Sequence, residues 1–384
     1  MADEIHLKSL KILVNTRLLI KNRLEGIGWF TYETLKRITR AHPEVQFIFV
    51  FDREFDDEFI FSENITPVIL SPQARHPVLY FIWFEFAIYQ LLNDLKPDLF
   101  LSPDGYLSLR TKTKQLGVIH DINFRHYPED LPFMERKYYN FFFPKYAHKA
   151  TRLATVSEYS KKDISSSFGV DPSKIDVVFN GVNESFGPVS VLEQNAVKGI
   201  YTQGADYFVF VGALHPRKNI SRLLLAFDSF KSSAGGTTKF LIVGKKMWWT
   251  DDIEETYESM RFRDDVVFTG RLASEELSKV LASALALVYV TYFEGFGIPI
   301  LEGFQCETAV ITSNVTSMPE VASDAALLVD PFSVESIKGA MILIARDEPL
   351  RRSLIEKGKI RKHQYSWDIT ARLLWESIEK AVSD

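Results

Sequence analysis

The chain has 384 residues, with 45 Lys and Arg against 50 Asp and Glu, a formal charge of −5, 46% hydrophobic residues and one cysteine. That length predicts roughly two to three domains, and the mixture excludes disordered and collagen-like classes. The slight acidity argues against general nucleic-acid binding, and the lone Cys306 excludes a disulfide framework and most zinc-site arrangements, in keeping with a reducing compartment.

Met1-Ala2-Asp3-Glu4 places acids where a secretory leader needs cations, so a cytoplasmic location is expected. The first half reads as strands at Lys11–Asn15, Phe47–Phe51, Leu99–Ser102, Leu116–His120, Arg152–Val156 and Asp176–Phe179. Helices lie between them, for instance Trp29–Ala41 and Ser157–Ser166. The most apolar stretch, Leu79 to Leu92, is too short to span a membrane, which takes about 20 residues. It reads as a helix buried between layers, or else as an aromatic surface for lipid or a partner. A Gly/Pro/Gln-containing stretch from Gly187 to Asp206 separates the halves. Strands resume at Tyr207–Gly212, Phe240–Gly244, Val266–Gly270, Ala286–Val290, Val310–Thr312 and Leu327–Val329, and Trp367 to Val382 reads as an amphipathic helix.

This alternation predicts an α/β protein of two doubly wound, parallel-sheet domains facing across a cleft. The near-continuous apolar strands agree, since strands covered on both faces lose polar alternation. Small or polar residues follow strand after strand, and open α/β sheets bind ligands beyond the carboxyl ends of their strands.

Four segments carry candidate chemistry. In residues 294–302 (EGFGIPILE), Gly295 and Gly297 permit a sharp turn and Pro299 suits the first turn of a helix. Amides near Gly297–Leu301 would then face an anion, although an ordinary strand–helix turn explains the pattern too. In His215-Pro216-Arg217-Lys218-Asn219, Asn219 reads as the N-cap of a helix over Ile220–Phe230. Two cations before a helix start oppose its dipole, a conflict that a bound diphosphate or plain solvation would relieve. Gly26-Ile27-Gly28 reads as a loop able to approach phosphate, but it lacks the spacing of a dinucleotide fingerprint. His120-Asp121 ends a strand, where an imidazole can meet a sugar hydroxyl or serve structure alone. No Asp-x-Asp, H-E-x-x-H, G-x-S-x-G or Walker A pattern occurs.

Taken in order, these segments resemble the large family-four group of retaining glycosyltransferases with the GT-B fold. The likeness rests on Glu294 and Glu302 with seven residues between them, Gly212 through Asn219, Asn180-Gly181-Val182, Gly26-Ile27-Gly28, His120-Asp121, Val156-Ser157-Glu158, and Met318-Pro319-Glu320-Val321 leading into Asp324 to Pro331. It implies transfer of a sugar from a nucleotide diphosphate, with no cofactor and no metal. It further implies that Arg217 and Lys218 bind the diphosphate and that Glu302 binds ribose. Glu294, Gly295, Phe296, Gly297 and Ile298 would hold donor sugar and phosphate, and His120 would contact the sugar. Gly28 would line the phosphates, with Gly270 and Leu272 completing the nucleotide-sugar set. Residues 1–190 would form the acceptor domain, 205–366 the nucleotide-sugar domain, and the helix over 367–384 would cross back onto the first. Glu307 departs from the family's usual glycine after Cys306 and is expected to cost about 1 kcal/mol if its φ is positive.

Pro77–Trp83, Ser102–Gly105 and residues 244–248 look most like members that use GDP-mannose, with a UDP-sugar donor as the alternative. The acceptor is expected to be a glycan or lipid-linked glycan of polysaccharide biosynthesis. Arg110, Lys112, Lys114, Arg136, Lys137 and Tyr138 are suited to seating it at the inner membrane face, or to forming a solvated basic face. Rival readings are a sugar-nucleotide epimerase, a phosphorylase and a non-catalytic sugar-nucleotide-binding protein.

Overall fold

A computed structural model describes residues 10–234, 236–245 and 250–384. Residues 1–4 and most of the 244–248 segment weighed above therefore lie outside the described residues. The chain divides into two compact units, one comprising the residues up to Gly181 together with Trp367–Asp384, the other Val182–Ser366.

The first unit is built on seven parallel strands: β1 (Lys11–Asn15), β2 (Gln46–Phe51), β3 (Ile65–Ile69), β4 (Leu99–Ser102), β5 (Lys114–Val118), β6 (Arg152–Thr155) and β7 (Ile175–Val177), in the order 3-2-1-4-5-6-7. The second has six, β8 (Tyr207–Val211), β9 (Lys239–Val243), β10 (Val266–Gly270), β11 (Ala286–Tyr289), β12 (Ala309–Ser313) and β13 (Leu327–Val329), in the order 10-9-8-11-12-13. All pairings are parallel. The central strands are buried throughout, as Tyr207-Phe208-Val209-Phe210-Val211 shows. Each strand order reverses once, between β1 and β4 and between β8 and β11, and such a reversal opens a crevice at the carboxyl ends of the two strands.

Local chemistry sets the helix ends. Ser157 caps the helix Glu158–Phe168 by accepting from Ser160 N, and Gly169 closes it in the left-handed region. The C-terminal helix Trp367–Ser383 packs within the first unit. Its Asp368 pairs with Arg37 at 2.6 Å, its Trp375 stacks on His42 at 3.6 Å, and its Ser377 and Lys380 both donate to Asp176 at 2.8 Å.

Three expectations need correction. The stretch Gly187–Asp206 holds a helix, Val191–Thr202, started by a capping box in which Ser190 and Glu193 satisfy each other's backbone amides. Gly26-Ile27-Gly28 is no loop but the first turn of the helix Gly26–Ala41. The apolar stretch at 79–92 is not sandwiched between layers. Trp83, Phe84, Ile88 and Leu92 are buried, whereas Phe81, Ile82 and Phe86 are exposed.

Candidate active site

In the second unit, β8 and β11 are neighbours with opposite onward connections, and the segments that follow them meet. After β8, Pro216–Lys218 forms a 3₁₀ turn in which His215 caps Arg217 N. After β11, residues 290–297 lead into the helix Ile298–Gln305. Backbone and side-chain bonds tie the two segments. Tyr292 N donates to Arg217 O at 3.0 Å, and Asn219 Nδ2 donates to Val290 O at 3.1 Å and Pro331 O at 2.7 Å. Asn219 does stand at the N-cap position of the helix Ile220–Ala234, its carbonyl accepting from Leu223 N at 3.1 Å, but its side chain is engaged elsewhere. Its own φ is +64°, its amide latches two loops, and its Oδ1 accepts from Arg222.

This latch brings the predicted cations onto the predicted acid. Arg217 Nη1 and Lys218 Nζ each lie 2.5 Å from Glu294 Oε1. Lys218 is buried at 9% exposure and also donates to the Tyr289 hydroxyl at 2.6 Å. Burial alone would push the Glu294 carboxyl up, but the charges of Arg217 and Lys218 outweigh it and hold the group at about 2. Glu294 is therefore a permanent anion at neutral pH, shared by two cations. Tyr289 escaped the sequence reading because a tyrosine ending an apolar strand reads as core. Its hydroxyl nonetheless fixes the lysine.

The turn that presents Glu294 is braced. Ser317 Oγ donates to Glu294 O at 2.9 Å and to Phe296 O at 3.2 Å. Gly297 has φ +101°, a left-handed backbone that favours glycine, and a Cβ there would also press to 2.7 Å on the terminal methyl of Met318. Of the amides proposed to face an anion, Pro299 has none and Ile300 N donates to Gly297 O at 3.0 Å. Those of Gly297 and Ile298 remain at the helix start.

One helical turn further on, Glu302 is partly accessible, and among the described residues its carboxylate has no hydrogen-bond or ion-pair partner. Burial pushes it up to about 7, so the two acids of the seven-residue spacing sit in opposite electrostatic states. Gly270 ends β10 and Leu272 follows it; β10 is the edge strand, which β9 separates from β8. Among the described residues, no hydrogen bond or ion pair joins them to the Arg217–Lys218–Glu294 cluster. Among the described residues, no group of three or more His, Cys, Asp and Glu side chains is gathered in a metal-holding arrangement.

His120 and Gly28 belong to the first unit, and Phe30 of the helix Gly26–Ala41 meets the His120 ring edge-on at 4.9 Å. A Cβ on Gly28 would lie 3.2 Å from Leu18 O and from Leu24 Cδ2, so this glycine lets the helix start pack on the preceding loop. His120 Nε2 is 2.9 Å from Pro103 O, and burial lowers the imidazole pKa. A carbonyl only accepts, so Nε2 carries the proton of the neutral ring and Nδ1 is left as an acceptor.

Two family models match the chain: Glycosyltransferase Family 4 over residues 24–186 and Glycosyl transferases group 1 over residues 193–361. The chain is 28% identical over 360 residues to O-antigen chain mannosyltransferase B of Escherichia coli, covering 91% of this chain and 94% of that protein. It is 29% identical over 227 residues to O-antigen chain mannosyltransferase RfbU of Salmonella typhimurium, covering 59% and 60%. The solved structure of sucrose-phosphate synthase from Thermosynechococcus elongatus superposes with a TM-score of 0.76 at 17% identity, over 97% of this chain and 98% of that one. With two parallel-sheet units and both halves matched, the chain belongs to the family-four (group 1) glycosyltransferases and has their GT-B fold.

Proposed function

We propose that this glycosyltransferase moves mannose from GDP-mannose, with retention at the anomeric carbon, to a glycan or lipid-linked glycan in polysaccharide biosynthesis. The observation that carries the proposal is the convergence of Arg217, Lys218 and Glu294 beside the Gly297 turn. The two mannosyltransferase relatives support the choice of sugar.

In this reading the donor diphosphate takes Arg217 and Lys218 over from Glu294, exchanging one carboxylate for a more highly charged group. The amides of Gly297 and Ile298 add two donors at a helix start. As the bond from the anomeric carbon to the diphosphate oxygen breaks, its electron pair stays on the phosphate and the negative charge there grows. Cations already fixed in place then stabilise the transition state more than the bound donor. Tyr289 keeps Lys218 from following Glu294 away. Glu294, released but still ionised, is free to accept from a sugar hydroxyl and to face the positive charge developing on the sugar. The acceptor oxygen bonds to the anomeric carbon from the face the diphosphate leaves, and its proton passes to a phosphate oxygen.

Glu302 accepts from the ribose hydroxyls, His120 Nδ1 accepts from a hydroxyl of the sugar, and Gly28 offers backbone to a phosphate. Gly270 and Leu272 are assigned to the nucleotide.

Incubation of the protein with GDP-mannose and with UDP-glucose over an acceptor panel tests this, with nucleoside diphosphate release and the anomeric configuration of the product as readouts. The expected outcome is release of GDP, an α-linked product and loss of both in Arg217→Ala. Turnover of UDP-glucose alone overturns the donor, and an inverted product overturns retention. GDP binding without turnover of any donor leaves a sugar-nucleotide-binding protein instead.

A further inference from the structure

Nothing in the transfer chemistry uses one face of the first unit. Pro77–Ile82, Trp83–Ile88 and Tyr89–Leu95 form a continuous helical segment, its middle turn in π geometry. Its inner side is anchored by Trp83, whose Nε1 donates to Leu70 O at 2.8 Å. Its outer side presents Val78, Ile82 and Phe86 at four-residue steps, with Phe81 beside them, and no charge among the four. Next to it runs the helix Phe133–Lys149, whose exposed residues include Phe133, Met134 and Phe141. Phe81 and Phe142, with ring centroids 5.8 Å apart, join the two stripes.

Cations stand over the rings of this face. Arg110 lies 5.1 Å from Phe86 and 4.4 Å from Tyr89, Arg136 and Lys137 each lie 5.5 Å from Phe133, and Lys145 lies 3.2 Å from Phe141. Along residues 133–149, Arg136, Lys137, Lys145 and Lys149 face a single acid, Glu135. Lys114 and Tyr138, grouped with these cations by sequence, are not part of the face. Lys114 donates to Val382 O in the C-terminal helix, and Tyr138 is buried with its hydroxyl on Tyr146.

Adjacent exposed apolar side chains of this number mark an interaction site. The occupant is set by the chemistry between them. Aromatic rings with Lys and Arg stems laid over them suit the boundary between lipid headgroups and acyl chains, where rings enter and cationic heads meet phosphate. We propose that this face seats the protein on an anionic lipid bilayer, with Phe81, Phe86, Phe133 and Phe141 at the headgroup boundary and Arg110, Arg136, Lys137 and Lys145 on lipid phosphates. The proposal does not depend on which sugar or nucleotide the protein uses.

Co-sedimentation of the full chain with phosphatidylcholine vesicles, with and without phosphatidylglycerol, tests it. Retention is expected on the anionic vesicles, weakening as salt screens the cations. Lys137→Glu/Lys145→Glu is expected to weaken retention by at least about fivefold per site. Phe81→Ser/Phe86→Ser/Phe141→Ser is expected to abolish it while the melting temperature stays within a few degrees of the parent. Equal retention on both vesicles, no retention on either, or unchanged retention of the variants overturns the proposal. So does a solution dimer that the same substitutions dissociate, since the face would then be an interface between copies of the chain.

Discussion

The two sheets each hold a buried cation–carboxylate cluster at the carboxyl ends of the strands where their order reverses, and the two clusters are built to different ends. In the first unit, beyond β1 and β4, Arg17 Nε meets Asp104 at 2.7 Å, and Asp104 also accepts from Asn15 at 2.8 Å and Ser102 at 2.9 Å. The guanidinium is covered by Tyr106 at 4.6 Å and Tyr80 at 5.1 Å. One cation answers one carboxylate, and rings close over them. In the second unit Arg217 and Lys218 share the single carboxylate of Glu294. The first cluster is balanced and sealed, so it holds structure. The second carries more positive than negative charge beside a helix start, which is the electrostatic form of an anion site.

The contrast breaks most visibly at Arg17. Arg17→Ala leaves Asp104 buried without its cation and should destabilise the protein by about 3–5 kcal/mol, read from urea unfolding. Lys218→Ala should do the reverse of this, lowering sugar transfer by about 10²–10³-fold with little change in the unfolding midpoint. If both variants behaved alike in both assays, the distinction between the clusters would be lost.

Glu302 sharpens the picture through pH. Its carboxyl sits at about 7 in the folded chain against an ordinary 4.5. The folded state therefore holds the proton more tightly, and the stability this contributes is complete below about 4.5, declines as pH rises towards 7 and is absent above it. Glu302→Gln should thus be more stable than the parent by about 1–3 kcal/mol at pH 8 and equal to it at pH 4, measured by thermal melts. GDP affinity of the parent should rise more steeply from pH 6 to pH 8 than that of the variant, because only the parent adds the Glu302 carboxylate to the ionisation of the GDP phosphate. The smallest effect belongs to Glu307, whose φ is +56° and whose carboxylate reaches Lys359 at 2.9 Å. Glu307→Gly should stabilise by about 1 kcal/mol, less a few tenths for the lost surface pair, with transfer unchanged.

Most strands were legible because they are buried on both faces and read as apolar runs, such as Phe208-Val209-Phe210-Val211. β3 was not, because Pro67 interrupts Ile65-Thr66-Pro67-Val68-Ile69. That proline is tolerated because β3 is an edge strand paired with β2 alone. The helix Val191–Thr202 was hidden by flanking Gly and Pro, although Ser190 and Glu193 announce it. Within the site, the cationic pair and the acid turn were readable as separate motifs. Their meeting was not, since it depends on Asn219 spanning to Val290 and Pro331, contacts far apart in the chain. Nor could spacing reveal that two glutamates with seven residues between them would be driven to opposite ends of the carboxyl range. That difference comes from the two cations beside one of them and from burial acting alone on the other.

The C-terminal helix has a consequence for how the protein is made. Because Trp367–Ser383 belongs to the first unit, the second is an insertion within it, an uninterrupted run from Val182 to Ser366. During synthesis the inserted half has its full complement of residues as soon as it clears the ribosome, whereas the half begun first must wait for the helix that follows Ser366. Until then Leu374, Trp375 and Ile378 have yet to cover their groove. A ribosome stalling just after Ser366 would therefore leave the older half, not the younger one, to the chaperones.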